Sequence, residues 1–508
     1  MAPNHDGPRS MATTPTGFRG VDVAVGRLVE GLGMASAAGR RVAARLGRPV
    51  LVWASATVPT LDPIALFQRA AGLGVERLLW ARPADGRSIV GIGTAWEATA
   101  EGPARLGAVG DAWRRCLAEA VGVGCGAGPA AMGGFAFAPR VDPRSAWRAF
   151  PAGWLLVPSL VVRATGAGSE AVLSALVPPH GDGTSPHSDN SSLHGAVHLA
   201  ALLDPQEGPA RPQPLQTVPY PEQKTGMTVP PVVEIPPASE WKALVARAAA
   251  AVRDGALRKV VLARTVRVDG VTIGPATALQ RLRTAYPGCV LFAVARGDLC
   301  FLGATPERLL RVRDGVVSTG ALAGSAPRGA TPEEDDYLGE VLLASPKDRL
   351  EHALVVEAVR DAMAAACDDV VAPPTPVLLR VSNVQHLYTP LRGHLRAPLG
   401  MLDLASLLHP TPAVGGVPRE AALEWIARHE GFERGWYAGV VGWLDATGDG
   451  ELSVAIRCAL LHDRRATLFA GCGIVSDSDP EAEYAESCLK LRPLAEALDA
   501  PAALHGCR

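Results

Sequence analysis

Trp436-Tyr-Ala-Gly-Val-Val-Gly-Trp-Leu444, Leu452-Ser-Val-Ala-Ile-Arg-Cys-Ala-Leu-Leu461 and Ala466-Thr-Leu-Phe-Ala-Gly-Cys-Gly-Ile474 alternate apolar with small or polar residues. Residues two apart share one face of a strand, so each run reads as a β-strand. Gly and Asp separate the first two runs, and Asp463 and Arg464 separate the last two, so the three predict antiparallel pairing. Upstream, Lys259–Val268 reads as a strand, and Cys289–Val294, Cys300–Ala304 and Leu309–Arg313 as short strands of a meander. Helical spacing predicts Trp241–Val252, with Ser239 as its N-cap. It also predicts one helix or two over Glu334–Ala366, interrupted at Pro346, and a closing helix over Glu481–Leu498. Strands come in runs and helices in blocks, which is the α+β pattern rather than strict βαβ alternation.

The same reading organises the rest of the chain. Residues 1–20 read as a disordered tail, and 21–175 mix helix (Gly110–Val121) and strand (Arg77–Ala81, Trp154–Val162). Residues 176–237 are dense in Pro, Ser, Gly and His and read as an insertion or linker with a helical island near Leu193–Leu203. Residues 238–500 carry the sharpest patterning. The 508 residues give a net charge of -2 and a pI of about 6.6, so nothing points to nucleic acid or to an anionic membrane surface. The nine cysteines form no CxxC pair, which removes zinc-ribbon and thioredoxin readings. The first twenty residues hold no apolar segment of a secretory signal, and no apolar run approaches the roughly 18 residues of a membrane span. A soluble, cytoplasmic, monomeric protein is expected.

Chemistry-bearing residues concentrate in the last half. Glu483, Glu486 and Lys490 share one face of the closing helix, since residues three and four apart are neighbours on it. An isolated Glu–Lys pair at that spacing is ordinarily a solvated ion pair. Here a strand ending Gly471-Cys472-Gly473-Ile474 leads in, and such a strand can bring backbone N–H groups beside an anion. Asp348 and Glu351 lie three apart on another predicted helix. Two carboxylate pairs can hold a hard divalent cation such as magnesium through oxygen, against the ordinary reading of a charged helix face. Glu307 follows Gly303-Ala-Thr-Pro306, where a turn glutamate is usually solvated; buried, it becomes a general acid. Lys259 opens its strand, and to serve as a base its pKa must fall from about 10.4 to about 7–8.

Other patterns carry less. The glycines of Gly122–Gly128 follow a helix and do not fit a dinucleotide fingerprint. His194 and His198 stand four apart with no acidic third ligand behind them, and read as part of a solvated linker helix. Walker A, HExxH and GxSxG motifs are missing from the sequence.

Taken in order, these residues resemble the chorismate-utilising enzymes, the anthranilate synthase component I-like family, and within it the isochorismate synthases. The resemblance rests on Lys259-Val-Val-Leu-Ala-Arg264, Gly303-Ala-Thr-Pro-Glu307, Ala321-Leu-Ala-Gly-Ser325 with Pro327-Arg-Gly329, and Lys347-Asp-Arg-Leu-Glu-His352. It continues through Val384-Gln-His386, Leu408-His-Pro-Thr-Pro-Ala-Val-Gly-Gly416, Tyr437-Ala-Gly-Val-Val-Gly-Trp443, Ile456-Arg457, Ala470-Gly-Cys-Gly-Ile474 and Glu486-Ser-Cys-Leu-Lys490. It covers residues 239–498, and Gly133–Phe137 with Trp154–Pro158 look like the family's first half.

The resemblance implies two facing, largely antiparallel sheets with outer helices and a site between them. It implies Mg²⁺-dependent conversion of chorismate to isochorismate. Lys259 would activate water for attack at C2, and Glu307 would protonate the departing C4 hydroxyl. Glu351 and Glu486 would bind Mg²⁺, with Glu483 and Asp348 close by. Tyr437, Arg457, the Gly471 and Gly473 amides, and Lys490 would hold substrate carboxylates, with His386 and Thr411 lining the pocket. Ammonia-using relatives, the anthranilate and aminodeoxychorismate synthases, typically carry Gln at the position of Lys259. Salicylate synthases keep the lysine and then eliminate pyruvate, so they stand as the alternative. A chorismate-binding subunit without catalysis would be expected to lose Lys259, Glu307 or a metal carboxylate, and none is lost. Two departures stand out: Gly320, where many isochorismate synthases have Glu, and the long stretch Pro178–Pro231, expected to be a surface insertion.

Overall fold

The computed structural model describes residues 18–124, 126, 128–165, 168–179, 191–204, 232–380 and 384–500. Two large sheets face each other. The larger carries the strands Lys259–Asp269, Arg465–Ile474, Cys458–His462, Leu299–Thr305 and Val290–Arg296 in that spatial order, then passes directly into strands from the first half of the chain. The junction is the antiparallel pairing of Val290–Arg296 with Arg77–Arg82, in which Phe292 lies opposite Trp80. The smaller sheet is built the same way: Val440–Asp445 pairs Ala130–Phe135 on one side and Gly450–Val454 on the other. Residues 21–175 and 238–500 therefore share both sheets. The neighbours in both are antiparallel except Val50–Val58 with Val121–Val123. This is the α+β architecture that the strand patterning predicts.

Between the sheets lies an aromatic core in which Trp147, Phe150, Phe301 and Trp436 meet at ring separations of 5.1–6.4 Å. Such edge-to-face contacts fix mutual orientation beyond what area burial does. A second core lies on the outer face of the larger sheet, beneath the helices Phe18–Leu46, Pro275–Ala285 and Pro480–Ala497.

Several boundaries differ from the sequence expectation. The helix Phe18–Leu46 starts inside the segment read as a disordered tail, whose residues 1–17 lie outside the described residues. The run Trp154–Val162 is two strands, Gly153–Val157 and Leu160–Thr165, because Pro158 cannot donate to a ladder. Glu334–Ala366, by contrast, is interrupted at Pro346 as expected, giving the helices Pro332–Ala344 and Pro346–Ala366, with Ser345 capping the second. The N-cap at the start of Ala238–Arg253 is Pro237, with Ser239 inside the helix.

The insertion read over 176–237 is largely outside the described residues, but its described parts are integrated. Ser191–Leu199 and the turn after it bury Ala196, Leu199, Ala200, Leu202 and Leu203 in the outer core, so the island is docked while His194 and His198 stay exposed. Val232–Ile235 is a strand paired with Thr265–Val268.

Candidate active site

The largest correction concerns Leu452–Leu461, because it builds the site. The run is two strands, Gly450–Val454 in the smaller sheet and Cys458–His462 in the larger. Between them the chain crosses from one sheet to the other, and Arg457 takes the left-handed backbone conformation at φ 51°. A non-glycine residue there costs on the order of 1–3 kcal/mol, and such strain gathers at functional positions. Arg457 is 7% exposed and faces a cavity of about 170 Å³ between the sheets.

That cavity collects the sequence-predicted residues. Lys259, Glu307, Asp348, Glu351, His386, Tyr437, Arg457, Gly471, Gly473, Glu483, Glu486 and Lys490 all line it. Lys259, 2% exposed, donates from Nζ to Glu351 Oε1 at 2.7 Å, a contact from strand to facing helix. The strand beside it must be glycine where it is. A Cβ on Gly473 would lie 2.8 Å from Lys259 Cε and 3.3 Å from Glu351 Oε1, and one on Gly471 2.9 Å from the Tyr437 hydroxyl.

The lysine strand is also held from its other edge. Glu430 accepts from the Ala263 N–H at 2.7 Å, and its buried partner Arg434 donates to Val261 O at 2.7 Å and to Val414 O at 2.9 Å. A buried ion pair thus fills the ladder gap and ties the strand to the Thr411–Gly416 segment.

Electrostatics sort the acids. Burial pushes Glu307 up to about 7, although Lys259, Lys490 and Arg457 pull the other way. A carboxyl at that value is poised to give up a proton near neutrality. Burial, together with the neighbouring Glu486 charge, raises Glu483 to about 7 as well; its Oε1 accepts from Ser478 Oγ at 2.7 Å. Burial also acts on Glu486, but Lys490 at 2.6 Å outweighs it and holds that carboxyl below its usual range. Lys490 is raised in turn by Glu486, against burial, and donates to Gly471 O at 2.9 Å.

Burial, with Arg457 and Lys490 nearby, lowers His386 to about 3, so it is neutral at physiological pH. Its Nδ1 sits 2.8 Å from Ser325 Oγ and 3.3 Å from Gly324 O, which assigns the proton to Nδ1. Nε2, buried and without a hydrogen-bond partner among the described residues, is left as an acceptor.

The carboxylates of Glu351, Asp348, Glu483 and Glu486 are all-oxygen donors converging from two helices, the set a hard divalent cation takes. Cys472 lies within 4.8 Å of Glu483 and Glu486, but burial raises its thiol well above the usual range. It stays protonated and donates to Glu483 O, outside the cavity lining.

The chain matches the chorismate binding enzymes over residues 37–499. It belongs to that family. It is 40% identical over 455 residues, 90% of this chain and 91% of the relative, to the salicylate biosynthesis isochorismate synthase of Pseudomonas aeruginosa. It is 33% identical over 471 residues, 90% of this chain and 95% of the relative, to the isochorismate synthase MenF of Bacillus subtilis. The solved structure of MenF, the menaquinone-specific isochorismate synthase from Escherichia coli, superposes with a TM-score of 0.70 at 26% identity, covering 92% of this chain and 99% of that one.

One predicted residue of this chorismate binding enzyme does not line the main cavity. Thr411 lies in a small adjoining cavity, since the turn Thr411–Gly415, closed by bonds from the Val414 and Gly415 N–H groups to Thr411 O, presents Ala413 and Val414 to the substrate space instead. Ser325, Lys347 and Phe469, which stand in the quoted motifs and runs without an assigned role, also line the main cavity, as does Arg434, which the sequence reading missed. Arg434 gives no sequence signal, since a Glu–Arg pair four apart at a helix end ordinarily stays in solvent. Gly320 finds its reason in packing: a Cβ there would lie 2.2 Å from the Tyr388 ring, which occupies the space a side chain needs.

Proposed function

We propose that this chain is an isochorismate synthase, an isomerase that moves the hydroxyl of chorismate from C4 to C2. The observation that carries the reading is the placement of a buried lysine and a glutamate poised near 7 on the walls of one cavity. Water, unlike ammonia, needs a base, and Lys259 supplies it. Lys259 takes the proton as the water oxygen bonds to C2. Both conjugated double bonds of the ring shift, C1=C2 to C1=C6 and C5=C6 to C4=C5, and the C4–O bond breaks. Glu307, protonated below about 7, delivers its proton to the departing hydroxyl, which leaves as water. One water enters and one leaves, so the reaction is an isomerisation.

Arg457 and Lys490 offer charge to the substrate carboxylates, Tyr437 and the Gly471 and Gly473 amides complete that wall, and His386 Nε2 accepts from a substrate hydroxyl. Glu351 and Glu486 are the residues we assign to Mg²⁺, with Glu483 and Asp348 beside them; bound there, the ion supplies positive charge that anchors a substrate carboxylate. Glu351 is the partner of Lys259, so engaging that carboxylate in metal binding would leave the amine free to act as base. The expected cellular setting is the cytoplasm, and among the described residues no helix is long and apolar enough to cross a membrane.

The test is chorismate with Mg²⁺, followed by chromatography of products and a pyruvate assay. Isochorismate without pyruvate is expected, and chelation should stop turnover until Mg²⁺ is restored. Salicylate with equimolar pyruvate would move the assignment to a salicylate synthase. Unchanged chorismate would overturn it.

A further inference from the structure

Glu307 lines two cavities. One is the substrate cavity; the other is a small niche behind it, walled by Arg308, Thr319, Gly320, Leu408 and Thr411. The niche has room for about one water. The other polar side chains around it are already committed: Arg308 Nε donates to Glu451 at 3.0 Å, and the Thr319 hydroxyl donates to Leu309 O. The Thr411 hydroxyl is not. Thr411 is 7% exposed, and its Oγ1 is buried with no hydrogen-bond partner among the described residues. A buried hydroxyl left without a partner is costly, and a bridging water removes that cost.

We propose that one ordered water in this niche joins the Thr411 hydroxyl to the Glu307 carboxyl, and that Thr411 is a positioning residue for the acid step. The inference rests on the reading of Glu307 as the proton donor. The Thr411 O–H donates to the water, and the water donates to the Glu307 oxygen that faces the niche. That oxygen is thereby kept as an acceptor, so the carboxyl proton sits on the other oxygen, toward the substrate cavity and the leaving hydroxyl. No proton moves through the niche. Lys259, Lys490 and Arg457, which act on the charge of Glu307, line the substrate cavity and not the niche.

Thr411→Val removes the donor and fills the space. It is expected to lower kcat about 10-fold, a fraction of what a positioned acid contributes, with KM within about 2-fold. The alkaline limb of the kcat profile should move to higher pH, because the ionised carboxyl loses a hydrogen bond. Thr411→Ser should recover most of the rate. A high-resolution crystal structure of the unaltered protein should show one water within hydrogen-bond distance of both groups. A dry niche, or a Val variant with the parental kcat and pH limb, overturns the proposal. Glu307→Gln separates the two readings. If it is inactive while the Val variant is unaffected, the positioning role fails alone; if it turns over normally, the acid assignment fails.

Discussion

Replacing Glu307 by Gln should cost activity and add stability, and the two effects should depend on pH differently. In the folded protein burial holds Glu307 at about 7, against an ordinary value of 4.5. As pH rises past 4.5 the unfolded chain releases this proton while the folded chain keeps it. Stability therefore falls with rising pH, and the loss is complete once pH passes about 7. The gap between 4.5 and about 7 corresponds to roughly 3 kcal/mol, and about 2.5 kcal/mol of it develops between pH 5 and pH 8. Cavity water screens part of this, so we expect about 1–2.5 kcal/mol. Gln keeps the shape and carries no such penalty. Urea unfolding of both proteins in chelated buffer at pH 5, 6, 7 and 8 should show the variant gaining on the parent as pH rises. Turnover should fall by at least about 10²-fold at every pH. A stability difference independent of pH, or a variant less stable at pH 8 than at pH 5 relative to the parent, would refute the claim that Glu307 is held protonated by its surroundings.

Lys259→Gln should abolish turnover, and in chelated buffer it should also destabilise the fold by about 3–5 kcal/mol, because Glu351 is left in the cavity without its 2.7 Å partner. Mg²⁺ should restore part of that stability, and parental turnover in the variant would remove the proposed base. His386, held at about 3, should show no imidazole titration between pH 5 and 8 when followed by NMR, and an inflection near 6.5 would contradict its neutral, Nδ1-protonated state. Arg264 is fully buried and donates to Ser487 Oγ at 2.7 Å and to Cys488 Sγ at 3.1 Å, next to Glu486. Arg264→Met should raise the Mg²⁺ concentration needed for half-maximal rate by roughly 10-fold, the range seen when groups behind metal ligands are removed, and an unchanged Mg²⁺ requirement would show that the guanidinium only fills space.

The strands and closing helix were legible because their side-chain periods are strong: Arg465–Ile474 and Pro480–Ala497 lie within a residue of the runs read from sequence. Phe18–Leu46 was not, since its run of Ala, Gly and Arg resembles the coil around it, and its helicity comes from packing Leu28, Leu32 and Ala35 against a sheet. Val232–Ile235 hid for a similar reason: four residues after a Pro-rich stretch become a strand only because Thr265–Val268 offers them an edge. The site residues were named through ordered motifs, and their gathering around one cavity follows from the sheet register. Thr411 was misplaced because a motif gives adjacency in sequence, while the Thr411–Gly415 turn decides which of its side chains meet the substrate.

Arg457 joins these threads. Read as the middle of a strand, it would have continued the alternation of Leu452–Leu461 within one sheet. Its left-handed backbone instead ends one strand and begins another in the facing sheet, and the crossing is where the cavity opens. The same crossing returns bonds to both sides: Ala304 N–H donates to Arg457 O at 3.1 Å, and Val454 N–H to Glu307 O at 3.0 Å. The backbone at the proposed acid is thereby bonded to the strand that runs into the cation's turn. Glycine at 457 would hold the same left-handed backbone without the strain but would take the guanidinium out of the cavity. The cavity wall between the two sheets is therefore completed by a strained residue that a sequence pattern reads as ordinary strand.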